Sequence, residues 1–196
     1  MTEPATPADK WDRIYASRPA GGEPAEVLAD NLHLLPRVGT ALDLACGLGG
    51  NAVALARAGL TVDATDVSGV AIGKVNTLAR ANQLAITGRV VDVTQQRPPA
   101  RSYDAIVVCR YLARDLCPDI ANALRPGGLL FYQTFTANRV TPGGPSNTDF
   151  LLKPNELLRL FNSLQVRVFR DEDVAGETTA GLRNQSYLIA QRPPDL

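Results

Sequence analysis

The chain is 196 residues long, 45% apolar and 20% charged, with 20 Lys and Arg set against 20 Asp and Glu. This describes one domain with an ordinary hydrophobic core, and the absence of a basic excess argues against nucleic acid or an anionic membrane as a main partner. The longest apolar runs, such as Ala105 to Cys109, are far too short to cross a bilayer, and no basic start leads into an apolar run, so no membrane partner and a cytoplasmic location are expected.

In chain order, residues 1–8 read as a flexible N-terminus rich in Pro and Thr. A helix is expected from Asp9, with Trp11, Ile14 and Tyr15 on one apolar stripe. Pro19 to Pro24 is a loop, and Glu26 to Leu35 reads as a helix stopped by Pro36. The single histidine, His33, lies there without partner spacing and reads as structural or exposed. Thr40 to Leu44 is a short apolar strand carrying Asp43. A glycine-rich turn follows, Ala45-Cys46-Gly47-Leu48-Gly49-Gly50-Asn51, and then a helix over Ala52 to Arg57. Glycines let a ligand approach the main chain, and the helix aims unpaired N–H groups at the same place, so the turn reads as a nucleotide cradle.

Strand and helix then alternate, as in a parallel sheet with crossover helices. Leu60 to Thr65 is a strand ending in Asp66, with Asp63 facing out. Val70 to Asn82 is a helix with Ser68 as N-cap. Ile86 to Val93 is a strand with Asp92 near its end. Tyr103 to Cys109 is a strand covered on both faces, Asp115 to Leu124 a helix, Arg125 to Gly128 a turn and Leu129 to Thr134 a fifth strand. A loop dense in Gly, Pro, Asn and Ser follows, 135–154 at its widest, too long for a simple connector and therefore a candidate lid or substrate wall. Asn155 to Ser163 reads as a helix. Val166 to Phe169 and Ser186 to Ala190 read as strands without a helix between them, which pair most simply antiparallel. There is no internal repeat and no break marking a second domain, so 9–192 is taken as one domain, with 9–36 a helical cover and 193–196 a tail. Three cysteines without a Cys-x-x-Cys spacing give neither a disulfide framework nor a metal site. Cys46 and Cys109 read as small core residues.

Gly47-x-Gly49-x-x-Ala52, with Asp66 roughly 20 residues on, formally fits the dinucleotide fingerprint, which would make the chain an NAD(P)-binding oxidoreductase. Asp43 before the turn, a further acid at strand three and the closing helix-free strand pair point elsewhere. Asp43 to Asn51 resembles motif I of class I S-adenosylmethionine-dependent methyltransferases. Within that class, Trp11 to Tyr15, Cys109 to Leu112, Leu124 to Leu130 and Phe150 to Leu157 are similar to the small tellurite-resistance-type (TehB-like) members. The likeness runs from Trp11 to Arg192. Gly50 departs from it, since related proteins often carry a larger polar or basic residue there.

The resemblance implies an α/β fold: a Rossmann-like, doubly wound sheet of seven mostly parallel strands, the last antiparallel, with helices on both faces. It implies S-adenosyl-L-methionine as methyl donor, S-adenosyl-L-homocysteine as product and a small-molecule acceptor. It places Asp43 and the main chain of Ala45, Cys46, Gly47 and Gly49 at the donor's amino acid end, with Asn51 beside them. Asp66 and Val67 would take the ribose hydroxyls, Asp92 and Val93 the adenine, and Trp11, Tyr15 and Cys109 complete the donor site. Physical chemistry agrees, because a carboxylate suits both an ammonium and a diol. Arg110 and Tyr111 follow strand four, where open sheets hold their ligands, and would orient the acceptor. The Asn/Asp-Pro-Pro-aromatic motif of enzymes that methylate exocyclic amines of nucleic acid is absent from that place. With no histidine or carboxylate base beside strand four, a soft, easily ionised acceptor is expected, a thiol or a chalcogen oxyanion. A non-catalytic donor-binding protein on the same fold is the other alternative. The sequence leaves the oligomeric state open.

Overall fold

Apolar strands that are covered on both faces require helices on both sides of a sheet, and the computed structural model, which describes residues 6–195, has that architecture. The strands are β1 (Thr40–Leu44), β2 (Thr61–Asp66), β3 (Ile86–Val90), β4 (Tyr103–Cys109), β5 (Leu124–Phe135), β6 (Gln165–Arg170) and β7 (Gln185–Gln191). They form one seven-stranded sheet in the order β3-β2-β1-β4-β5-β7-β6. β7 enters antiparallel between β5 and β6, whereas β1 to β5 run parallel to one another. This is the Rossmann-like methyltransferase topology. It departs from the all-parallel 3-2-1-4-5-6 order of dinucleotide-binding sheets.

Alternation along each strand divides the core into two layers. On one face Leu42, Ile106, Leu130 and Tyr132 pack against Ile120 of α5 (Cys117–Ala123) and Leu157 of α6 (Glu156–Leu160). On the other, Val62, Val107, Phe131 and Ile189 meet Val27 and Leu28 of α2 (Glu26–Ala29), Leu55 of α3 (Gly50–Arg57) and Val75 of α4 (Gly69–Ala81). Ser68 caps α4, as its position suggested, by accepting the Ala71 N–H. No helix among the described residues is long and apolar enough to cross a membrane.

Several elements differ from the sequence reading. Helix α1 spans Pro7–Ala16 and so starts before Asp9, because Thr6 caps it in a reciprocal pair with Asp9 and Pro7 takes the first helical position. Residues 1–5 of the expected flexible N-terminus lie outside the described residues. The helix expected over 26–35 stops at Ala29 and resumes as a single 3₁₀ turn at Leu32–Leu34. Buried Asn31 turns its amide onto the Val27 carbonyl at 3.1 Å, a local side-chain bond that competes with helix continuation. β3 ends at Val90, leaving Asp92 and Val93 beyond it. α5 begins at Cys117 after a 3₁₀ turn, and the helix expected over 155–163 is confined to Glu156–Leu160. Asn155 enters it from the left-handed region at φ 59°. The turn expected at 125–128 is absorbed into β5 as an irregularity, where Leu124 pairs with Tyr103 but Leu129 with Ala105.

Phe161, 1% exposed, closes α6 onto the sheet with its ring 5.3 Å from that of Tyr132. Phe161→Ala is expected to cost about 3–5 kcal/mol in urea unfolding, the loss of a buried aromatic plus its cavity. A loss below about 1 kcal/mol would show that α6 is not part of the cooperative core.

Candidate functional site

The chain leaves β1 toward β2 on one side and β4 toward β5 on the other, so a crevice opens between the carboxyl ends of β1 and β4. The glycine turn forms one lip. Ala45 (φ 54°), Gly47 (φ 52°) and Gly49 (φ 81°) all lie in the left-handed region, which curls the main chain around the opening. For Ala45 that conformation carries strain of about 1–2 kcal/mol. A Cβ at Gly47 would sit 2.9 Å from the Tyr15 hydroxyl, and one at Gly49 2.9 Å from a methyl of Val75.

At Gly50 the Cβ would fall 2.8 Å from the Glu23 carbonyl oxygen and 3.2 Å from that of Gly22. The departure at this position has a physical cause. The N-terminal segment runs over the turn as a strap, with Gly21 N–H donating to the Leu48 carbonyl at 2.6 Å and Ala25 N–H to Asn51 Oδ1 at 2.9 Å. The oxygen of Asn51 is thus engaged in holding the strap.

Two buried carboxylates line the crevice. Asp43, 1% exposed within β1, accepts the Ala52 N–H on Oδ2 at 2.9 Å. Its Oδ1 has no hydrogen-bond partner among the described residues, and the Asn51 side chain comes close without reaching hydrogen-bond geometry. Burial pushes the Asp43 carboxyl up to about 7 against the pull of the Ala52 N–H. Asp66, at the end of β2, accepts Gly47 N–H on Oδ2 and Ser68 N–H on Oδ1, each at 2.8 Å. Burial raises it as well, with the N–H groups of Ser68, Gly47 and neighbouring Val67 acting in the opposite direction.

Around these acids the structure gathers Tyr15, Cys46, Cys109, Arg110 and Tyr111. Tyr15 is pushed up to about 12, first by burial and then by Asp66. The Cys46 and Cys109 thiols are raised by burial and by the charge of Asp43. Burial raises Tyr111, which also feels Asp92 and Asp66. Asp92 is exposed on the rim, where Thr94 N–H (2.9 Å) and Oγ1 (2.6 Å) bond its Oδ1 and hold it below the usual carboxylate range. The side chain of Val93 is buried in the core. Arg110 leaves β4 at φ 56°, with its N–H on the Gln133 carbonyl at 2.8 Å. Its guanidinium is exposed and, among the described residues, has no hydrogen-bond or ion-pair partner. Trp11 stacks on Tyr15 with centroids 5.4 Å apart, on the outer side at 37% exposure.

The long loop is fixed at both ends. Arg114 forms a fork on Glu156 (2.8 and 3.1 Å) and reaches the Leu151 carbonyl at 2.9 Å, while Asn184 bonds the main chain at Val140 and Thr141. Sequence reasoning missed Asp12 and Lys74, which tie α1 to α4, because such ties join residues far apart in the chain and leave no periodicity. Ser68 was legible as an N-cap, but its bond to Asp12 was not.

Residues 41–128 match the model of a family described as a methyltransferase domain. Comparison with curated protein sequences finds no match. Among solved structures the chain is similar to a protein studied for the conversion of a disulfide bond into a thioacetal group during echinomycin biosynthesis (TM-score 0.70, 18% identity, 95% of this chain and 93% of that one). It is similar to TehB from Haemophilus influenzae (TM-score 0.68, 18% identity, 94% and 66% covered). It also resembles geranyl diphosphate C-methyltransferase from Streptomyces coelicolor A3(2), solved with Mg2+, geranyl-S-thiolodiphosphate and S-adenosyl-L-homocysteine (TM-score 0.68, 19% identity, 97% and 100% covered). The fold is that of the class I S-adenosylmethionine-dependent methyltransferases, and the family match covers residues 41–128 of it.

The buried Asp43 gives a test by pH. Its carboxyl keeps its proton up to about pH 7 in the folded chain but ionises near pH 4 when unfolded, so between those values the folded state binds more protons. Stability from this group is therefore full below about pH 4, falls as pH rises, and levels off above about pH 7. Asp43→Asn removes the slope: relative to wild type, the variant is expected to gain up to about 1.4 kcal/mol per pH unit across that window in denaturant titrations. A pH-independent difference would show that Asp43 is ionised in the fold.

Proposed function

We propose that this protein is an S-adenosylmethionine-dependent methyltransferase acting on a small, soft anion such as a thiolate or a chalcogen oxyanion. The observation that carries the donor assignment is the unpartnered Oδ1 of Asp43, buried beneath the glycine turn. A buried carboxylate oxygen without a donor is costly, and an ammonium group supplies the missing partner. Asp43 and the main chain of Ala45 to Gly49 hold the amino acid end of the donor. Asp66, beside Val67, exchanges its bond to Gly47 for the ribose hydroxyls. Asp92 and the Val93 N–H serve the adenine at the rim.

The bound donor supplies a methyl carbon already activated by its sulfonium toward in-line displacement. The protein then has to align a nucleophile and exclude water. Tyr15 and Tyr111 wall the cleft and, raised above the usual phenol range, stay protonated at neutral pH. The two thiols beside Asp43 are held protonated in the same way. His33 lies exposed in the 3₁₀ turn after α2. None of these groups is suited to take a proton from an alcohol or amine, and Asp43, the carboxyl raised to about 7, is engaged by the donor's ammonium, which supports an acceptor that arrives ionised. Arg110, a planar cation at the end of β4, orients it.

Thermal-shift titration with S-adenosylmethionine and S-adenosylhomocysteine against NAD(P) tests the donor, because a ligand of the native state raises the melting temperature. Stabilisation by NAD(P) alone would overturn the assignment. A labelled-methyl screen over thiols, chalcogen oxyanions, alcohols and amines tests the acceptor, and transfer confined to the last two would sink the soft-anion reading. Asp66→Ala is expected to weaken donor binding by about tenfold or more. Arg110→Gln is expected to raise acceptor KM by about tenfold to a hundredfold while leaving donor Kd in place, as for a lost charge-assisted contact.

A further inference from the structure

Helix α1 lies over the glycine turn yet contains no buried side chain. Beside half-buried Ile14 and Tyr15, its seating rests on polar ties, and both sets come from α4 and its N-cap. At the carboxyl end of α1, Lys74 Nζ donates to the carbonyls of Tyr15 (2.8 Å), Ala16 (2.7 Å) and Arg18 (2.6 Å). Carbonyls left open at a helix carboxyl end favour a cation, and an ammonium has three protons to give them. In the body of α1, Asp12 Oδ1 accepts from Ser68 Oγ at 2.5 Å and from Val70 N–H at 3.1 Å.

The second tie leads into the donor site. Ser68 N–H donates to Oδ1 of Asp66, and Oδ2 of Asp66 receives the Gly47 N–H. The Tyr15 hydroxyl rests against Gly47, which brings the path back to α1. Asp12, Ser68, Asp66, Gly47 and Tyr15 thus form a closed circuit through the proposed ribose acid.

We propose that Lys74 and Asp12 are positioning residues that latch α1 over the donor cleft and couple its docking to the state of Asp66. The inference rests on the donor reading above. Lys74 sets how firmly the last turn of α1, and with it Tyr15, is held. Asp12 fixes Ser68 and through it the direction of the Asp66 carboxylate. Because α1 buries no side chain fully, releasing the latch opens the cleft without unfolding the core.

Trp11 is the chain's one tryptophan and stacks on Tyr15, so its fluorescence reports α1 directly. Tryptic cuts after Lys10 and Arg13, followed by mass spectrometry of the full chain, report docking without any ligand. In Lys74→Ala and Asp12→Ala these cuts are expected to be about tenfold faster, with the melting temperature unchanged, and donor Kd by Trp11 titration about tenfold weaker, corresponding to ~1.4 kcal/mol of lost tethering. Lys74→Arg, which keeps a cation, is expected to restore most of both. Unchanged cleavage in both alanine variants would overturn the latch. So would donor affinity that falls only in step with melting temperature, which marks a merely structural role. If wild type binds no S-adenosylmethionine, the proposed function fails, while the ligand-free cleavage still decides whether the latch exists.

Discussion

A carboxylate in the middle of a sheet has to be answered by its surroundings, and much of this site is arranged around Asp43. One of its oxygens takes the first-turn N–H of α3 and the other is left without a partner. The first bond fixes the helix to the strand across the glycine turn. The second leaves an acceptor beneath the turn, in a place from which water is excluded. Strain at Ala45, crowding at Gly47 and Gly49, and the raised thiols of Cys46 and Cys109 are local consequences of folding the backbone tightly over that buried acid.

The opposite wall has a different character. Arg110 is exposed and unpaired among the described residues, while the hydroxyls and thiols near it remain protonated. Such a wall presents a cation beside protonated hydroxyls and thiols. On the proposed reading, that asymmetry separates the donor side, lined by buried carboxylates with defined hydrogen bonds, from the acceptor side, where an exposed cation stands.

The sheet was legible in the sequence wherever apolar runs and period-two patterns are local properties. β4 has the bounds its sequence suggested, and the closing antiparallel pair follows from the lack of a helix between two strands. The glycine turn and the acids Asp43 and Asp66 were legible too, because strand interiors and strand ends disfavour aspartate without a reason. What was not legible depends on residues distant in the chain. Asn31 breaks a helix through a buried amide, and the bare Gly50 is explained only by the backbone of Gly22 and Glu23 lying against it. The shortness of α6 follows from Arg114 gripping Glu156 at its start and Phe161 turning into the core at its end. Local propensity contains none of these contacts.

The insertion of β7 between β5 and β6 also dictates an order of assembly. The residues proposed for the donor cleft lie on α1, on β1, β2 and β4 and just after β3, and all of them have emerged once the chain has passed Cys109. β5 has β4 on one side, but its other edge is matched only by residues 185–191, with Leu129 opposite Gln191. Until the last segment of the chain arrives, Phe131 and Tyr132 lie on a strand with an open edge, the kind of template that recruits other chains. The half of the sheet nearest the acceptor wall is therefore the late-forming half, while the donor half can fold early on short-range contacts. In a growing chain the cradle would form first, and the wall that decides what is methylated would close last.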